Sequence, residues 1–193
     1  VGAGASINAN TGSVSFDRTV YPVPWGNVTA AGAAGEERFQ LHASAANLNA
    51  GSYENALAAG NVVVHVRITD ADYDVSAFGE DSISDGINTL GVTDRVILAI
   101  ERGSASQEIS RFGNATFPIK ETSPTSGVFE YDQSISFTAG PTTSCPAAFV
   151  GTGCVLQGDI LTVTYKDVKD ASGKTQTVTD SATFDLRNGV LQS

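Results

Sequence analysis

Val62-Val63-Val64-His65-Val66-Arg67-Ile68 decides the fold class, because five of its seven residues are Val or Ile. Two heavy atoms on Cβ restrict χ1 and favour the extended backbone over the helix. The run is nearly continuous rather than alternating, which predicts a strand covered on both faces. His65 is then expected inside the core or between sheets. Val96-Ile97-Leu98-Ala99-Ile100 reads the same way.

Outward from these runs the chain keeps a strand rhythm. Residues 128–137 place apolar side chains in partial alternation. Ile160-Leu161-Thr162-Val163-Thr164-Tyr165 follows the turn pair Gly158-Asp159. Residues 175–186 alternate Val178, Ala182, Phe184 and Leu186 on a Thr/Asp background. Shorter candidates lie at 14–21, 108–112 and 116–120. Only 52–59 and part of 43–48 are compatible with helix. Eight or nine strands with almost no helix predict an all-β chain, and the architecture that fits is a β-sandwich. Residues 23–60, rich in Ala, Gly and Asn, read as a long loop excursion between the first two strands. Two smaller sandwiches divided near residue 103 are the alternative.

The chain has 193 residues, with 21 Asp and Glu against 11 Lys and Arg, for a formal charge of −10. That balance disfavours nucleic acid and anionic membrane surfaces, and makes cations the natural partners. No apolar run is long enough for a membrane-spanning helix, so direct membrane insertion is not expected. The first residues carry neither a basic segment nor an apolar one, so they do not read as a signal peptide. The chain contains no Met, which suggests a piece of something longer.

The two cysteines, Cys145 and Cys154, are nine positions apart with Pro and Gly between them. That spacing suits a local disulfide, with two free thiols as the alternative. A disulfide would place the chain outside the cytosol. Two Asn-x-Thr sequons, at Asn27 and Asn114, agree with that location and mark candidate glycosylation sites.

Residues 70–94 hold seven carboxylates, namely Asp70, Asp72, Asp74, Glu80, Asp81, Asp85 and Asp94, with no Lys or Arg among them. Two like charges about 4 Å apart repel by about 4 kcal/mol at an effective dielectric near 20. Such a cluster either splays into water or is held by a cation. Asp70-x-Asp72-x-Asp74 closes a strand, so a turn there brings alternate carboxylates towards one point. Ca²⁺ takes about six to eight oxygen ligands, which suits this density. Strand ends that meet at one rim would add Glu121 and Asp167, and Asp170 lies close by in sequence. The predicted metal set is therefore Asp70, Asp72, Asp74, Glu121 and Asp167, with Ca²⁺ as the ion. A solvated acidic loop is the plain alternative. The pattern is not an EF-hand, because the position that needs Gly is Val75.

No sequence signature of catalysis is found. The chain has no His-Glu-x-x-His, no Gly-x-Ser-x-Gly and no glycine-rich phosphate loop after a strand. His42 reads as a surface or edge residue. Trp25, in the stiff segment Pro22-Val23-Pro24-Trp25, reads as a packing anchor. The chain is expected not to be an enzyme.

Residues 5–12 resemble residues 182–189 at an offset of 177 residues, as if the chain began with the last strand of one repeat. Ser15-Phe16-Asp17-Arg18-Thr19-Val20-Tyr21-Pro22-Val23-Pro24 resembles the opening strand of the immunoglobulin-like repeats of archaeal surface-layer proteins. The nearest likeness is to those of ammonia-oxidising archaea. Ile68-Thr69-Asp70-Ala71-Asp72-Tyr73-Asp74 is similar to their aspartate-rich motif, with Ala71 in place of its usual Pro and Asp74 in place of its usual Asn. Residues 121–129, 158–167 and 182–187 resemble later strands of the same repeat.

The resemblance implies an immunoglobulin-like sandwich over 13–189, preceded at 1–12 by an end strand or linker and followed at 190–193 by the next repeat. It implies an extracellular, cell-surface structural role. Copies of the protein and neighbouring repeats would be the partners, assembling with cations into a two-dimensional lattice and carrying N-glycans. The acidic surface would concentrate cations, ammonium among them. A calcium-binding adhesin or a carbohydrate-binding module of a secreted protein is the alternative, and an extracellular hydrolase a more distant one.

Overall fold

The computed structural model describes residues 10–23, 60–84, 94–137, 155 and 158–186. Cys145, Cys154, Asn27, Trp25, His42 and residues 24–59 of the expected excursion lie outside them, as do residues 5–9 of the repeated ends.

The described strands are β1 (Ser13–Phe16), β2 (Val20–Val23), β3 (Gly60–Thr69), β4 (Ser82–Ile83) and β5 (Val96–Arg102), followed by β6 (Ala105–Phe112), β7 (Ile119–Glu121), β8 (Val128–Phe137), β9 (Ile160–Asp167) and β10 (Gln176–Leu186). One 3₁₀ turn spans Ala71–Tyr73. Two five-stranded sheets form, in the orders β1-β3-β8-β7-β4 and β2-β10-β9-β5-β6. The first of these is antiparallel throughout, with β3 and β8 paired from Gly60↔Phe137 to Thr69↔Val128. The second is antiparallel except where β10 runs parallel to β2.

This is a β-sandwich, and its opening strand explains a count of ten described strands where eight or nine were expected. The predicted strand over 14–21 is two strands. β1 pairs with β3 in one sheet, and the chain then crosses at Asp17–Thr19 to pair β2 with β10 in the other. Pro22 is tolerated because β2 is an edge strand. The two-residue β4 is the other addition. Both sheets draw strands from each side of residue 103, so a division into two sandwiches there does not occur.

The core lies between the sheets. Val62, Val64, Val66 and Ile68 of β3 face Val96, Leu98 and Ile100 of β5 and Leu161, Val163 and Tyr165 of β9 in one buried cluster. Phe129, Phe184 and Tyr21 fill the spaces between, with Tyr21 edge-on to Phe16 at a centroid distance of 6.0 Å.

The expectation for β3 is corrected here. The strand is covered on one face only, and burial alternates strictly along it. Val63 is 45% exposed, and His65 lies on the solvent face, not in the core. Two cross-strand pairs occupy that outer face. His65 Nδ1 lies 2.5 Å from Asp132 Oδ1, and Arg67 Nη2 donates to Glu130 Oε1 at 2.6 Å. Val63 made the run look continuous, and its β-branched side chain stabilises an exposed strand position as well as a buried one.

Candidate metal centre

The end of β3 begins the acidic segment. Asp70 N donates to Gly127 O at 2.9 Å, which fixes the strand end against the turn before β8. The Asp70 side chain then caps the 3₁₀ turn, accepting from Asp72 N at 2.9 Å. Its other oxygen accepts from Tyr165 Oη at 2.5 Å. Asp70 is only 2% exposed. Burial, with the Asp167 and Asp72 carboxylates nearby, pushes its carboxyl up to about 6. Burial and the adjacent Asp70 push the Tyr165 phenol upward as well.

Asp167, at the end of β9, is equally enclosed. Its Oδ2 accepts from Gly12 N at 2.8 Å and its Oδ1 from Lys169 N at 2.8 Å. Only glycine fits at position 12, since a Cβ there would lie 2.8 Å from the Tyr165 ring and 3.0 Å from Asp70 Oδ2. Asp72 turns outward and accepts from Asn10 N at 3.2 Å. Asp170 caps its own turn, accepting from Ser172 N at 2.8 Å and Lys174 N at 2.9 Å.

A second carboxylate group forms one turn further on. After Asp74 the chain loops out, and Asp81 Oδ2 closes the loop by accepting from Val75 N and Ser76 N, each at 2.8 Å. β4 then pairs with β7, which sets Asp81 beside Glu121. Glu121 N donates to Asp81 O at 2.9 Å, and Asp81 N donates back to Glu121 Oε2 at 3.0 Å. Glu121 Oε1 also accepts from Ser126 N at 2.8 Å and Gly127 N at 2.7 Å. These donors hold the Glu121 carboxyl below the usual range, that of Asp81 most of all, so it is ionised although buried. Partial burial, followed by the charges of Glu121 and Asp81, pushes the Asp74 carboxyl up. One carboxylate oxygen from each of Asp74, Asp81 and Glu121 lies within 4.8 Å of the others.

The structure therefore sorts four of the five nominated residues into two neighbouring groups and leaves Asp72 outside both. It brings Asp74 and Glu121 together and adds Asp81, which the sequence reading counted among the acids without assigning it to the site. Asp70 and Asp167 are instead enclosed by protein donors around Tyr165 and Gly12, and Asp72 faces Asn10. Gly127 joins the groups, its N–H on Glu121 and its carbonyl on the Asp70 amide. The donors of the triad are all carboxylate oxygens, which suits a hard cation such as Ca²⁺ or Mg²⁺ and not a thiophilic metal.

Of the two sequons, Asn114 is described. Its side chain builds a turn, accepting from Thr116 N at 2.9 Å and Phe117 N at 2.8 Å and donating to Asp94 Oδ1 at 2.9 Å. Among the described residues, no helix is long and apolar enough to cross a membrane. No protein-family model matches the chain, and no curated protein matches it.

Proposed function

We propose that this chain is a structural immunoglobulin-like repeat of an archaeal surface-layer protein, stiffened at one end by Ca²⁺. The reading rests on the sequence resemblance, the acidic charge and one geometric observation: Asp74 and Asp81 of one loop and Glu121 of β7 bring their carboxylates together. Three carboxylates so placed repel one another without a counter-ion. A bound Ca²⁺ would hold the 74–81 loop against the turn before β8, with backbone carbonyls and water completing its coordination. Phe78, fully exposed at that loop, would then be presented to a neighbouring domain on a rigid support. The remaining acidic surface would gather cations, including ammonium, at the cell envelope.

A thermal melt of the chain with Ca²⁺, with chelator and with Mg²⁺ tests the site. Ca²⁺ at about 100 times its Kd adds about 2.7 kcal/mol, which reads as a rise of several degrees. Asp81→Asn should abolish that rise while the variant remains folded in chelator. Equal melts with and without Ca²⁺ would sink the cation reading. Ca²⁺-dependent growth of ordered sheets from the parent protein, seen by electron microscopy, is the matching test of the lattice.

A further inference from the structure

A groove of about 780 Å³ runs along edge strand β6, between it and the exposed half of β8. Among the described residues, β7 pairs with β8 only at Phe129 and Glu130, so Tyr131 and Gln133 line the groove floor. Tyr131 is fixed by stacking on the buried Phe112 ring, at a centroid distance of 4.1 Å and an interplanar angle of 15°. The Asn114 turn forms one wall and carries Phe117, whose side chain is 54% exposed.

The polar side chains of the groove hold one another in place. Arg111 Nη1 donates to Asp94 at 2.8 Å, its Nη2 donates to Glu108 at 2.8 Å, and its Nε is also bonded to Glu108. Asn114 Nδ2 takes the other Asp94 oxygen. Gln133 Nε2 donates to the neighbouring Ser134 carbonyl at 2.9 Å. The carboxylates still have unused lone pairs, and Arg111 keeps two of its five N–H groups.

We propose that this groove is a saccharide-binding site. Three features select that ligand class. The exposed Phe117 ring offers a flat apolar face for the C–H face of a pyranose. The planar carboxylate, guanidinium and amide groups, already oriented by one another, match a row of hydroxyls that both donate and accept. The volume falls within the range of small-ligand sites, about 300–1,000 Å³. Two carboxylates against one guanidinium disfavour a phosphate or another anion. Strand addition along β6 is disfavoured too, because Ile109 bulges from the ladder where the β5–β6 register shifts. The Asn114 sequon would on this view serve the groove wall, its amide nitrogen already committed to Asp94.

The test titrates the 193-residue chain separately with maltotriose, cellotriose, chitotriose and mannotriose. Trilysine and inorganic phosphate are the controls, and backbone amide shifts are followed by NMR. Chelator is present throughout, so the result is independent of the Asp74–Asp81–Glu121 centre. At least one trisaccharide should give saturable shifts confined to residues 108–117 and 131–133. Phe117→Ala should weaken that binding about tenfold, and Gln133→Ala should weaken it less, both with unchanged melting. No saturable shift with any of the four sugars would overturn the proposal. So would sugar binding indifferent to Phe117→Ala, or trilysine occupying the groove where no sugar does.

Discussion

Asp70 and Glu121 are both buried carboxylates at one end of the sandwich, yet their proton affinities move in opposite directions. Glu121 gains donors that replace its lost water, while Asp70 gains too few to offset burial beside Asp167 and Asp72. The consequence for pH follows from the sign. Asp70 has a folded value of about 6 against an ordinary 3.8, so the folded state holds its proton more tightly than the unfolded chain. Its contribution is fully favourable below pH 3.8 and is lost as pH rises through about 6, a loss of about 3 kcal/mol. Denaturant unfolding of wild type and Asp70→Asn at several pH values should show the gap between them changing by that order across this window. Parallel profiles would refute it. Arg95 is a different case. It is fully buried, and its three guanidinium nitrogens have no hydrogen-bond partner among the described residues. Arg95→Met should therefore stabilise the chain by about 1–3 kcal/mol, read as a higher midpoint in a denaturant titration.

At the scale of strands, most of the secondary structure was legible because β-branched residues cluster where strands form. What was not legible was which face each residue takes. Val63 and His65 sit on the water side of β3, and only the pairing with β8 reveals it, with His65 on Asp132 and Arg67 on Glu130. Asp81 escaped nomination for a related reason. Its partner Glu121 is 40 residues away, and the two-residue β4 that brings them together has no periodicity to read. The splitting of the first strand was marked only by a change of phase, since the buried positions pass from Val14 and Phe16 in β1 to Tyr21 and Val23 in β2 as the chain changes sheets at Asp17–Thr19. The far end of the sandwich has its own device. Arg102, at the end of β5, donates to Asp159, just before β9, through Nε at 2.7 Å and Nη2 at 2.6 Å. Asp159 is 2% exposed. Arg102→Ala would leave that charge buried without its guanidinium, and should cost about 3 kcal/mol in unfolding free energy. A loss within about 0.5 kcal/mol, the range of ordinary surface substitutions, would show that the pair does not anchor the end of β5 to the start of β9.

At the scale of the molecule, the acidic character read from composition is organised rather than spread evenly. Asp70, Asp74, Asp81, Glu121 and Asp167 cluster where β3, β7 and β9 end, and the network through Gly127 makes that end one unit. The architecture was legible from the chain; the division of these carboxylates between a cation site and a hydrogen-bonded core was not, because it depends on donors supplied by Gly12, Ser126 and Gly127. The crossing of the opening strand also has a mechanical consequence. β2 and β10 run parallel, with Val20 opposite Thr183 and Val23 opposite Leu186. Tension that enters on the N-terminal side of β2 and leaves on the C-terminal side of β10 drags the two strands in opposite senses along their length. Their hydrogen bonds are then loaded together in shear instead of being peeled apart one by one. Resistance to pulling is set by the rate of forced opening, not by equilibrium stability. A fold clamped in this way is suited to carry load along a chain under tension.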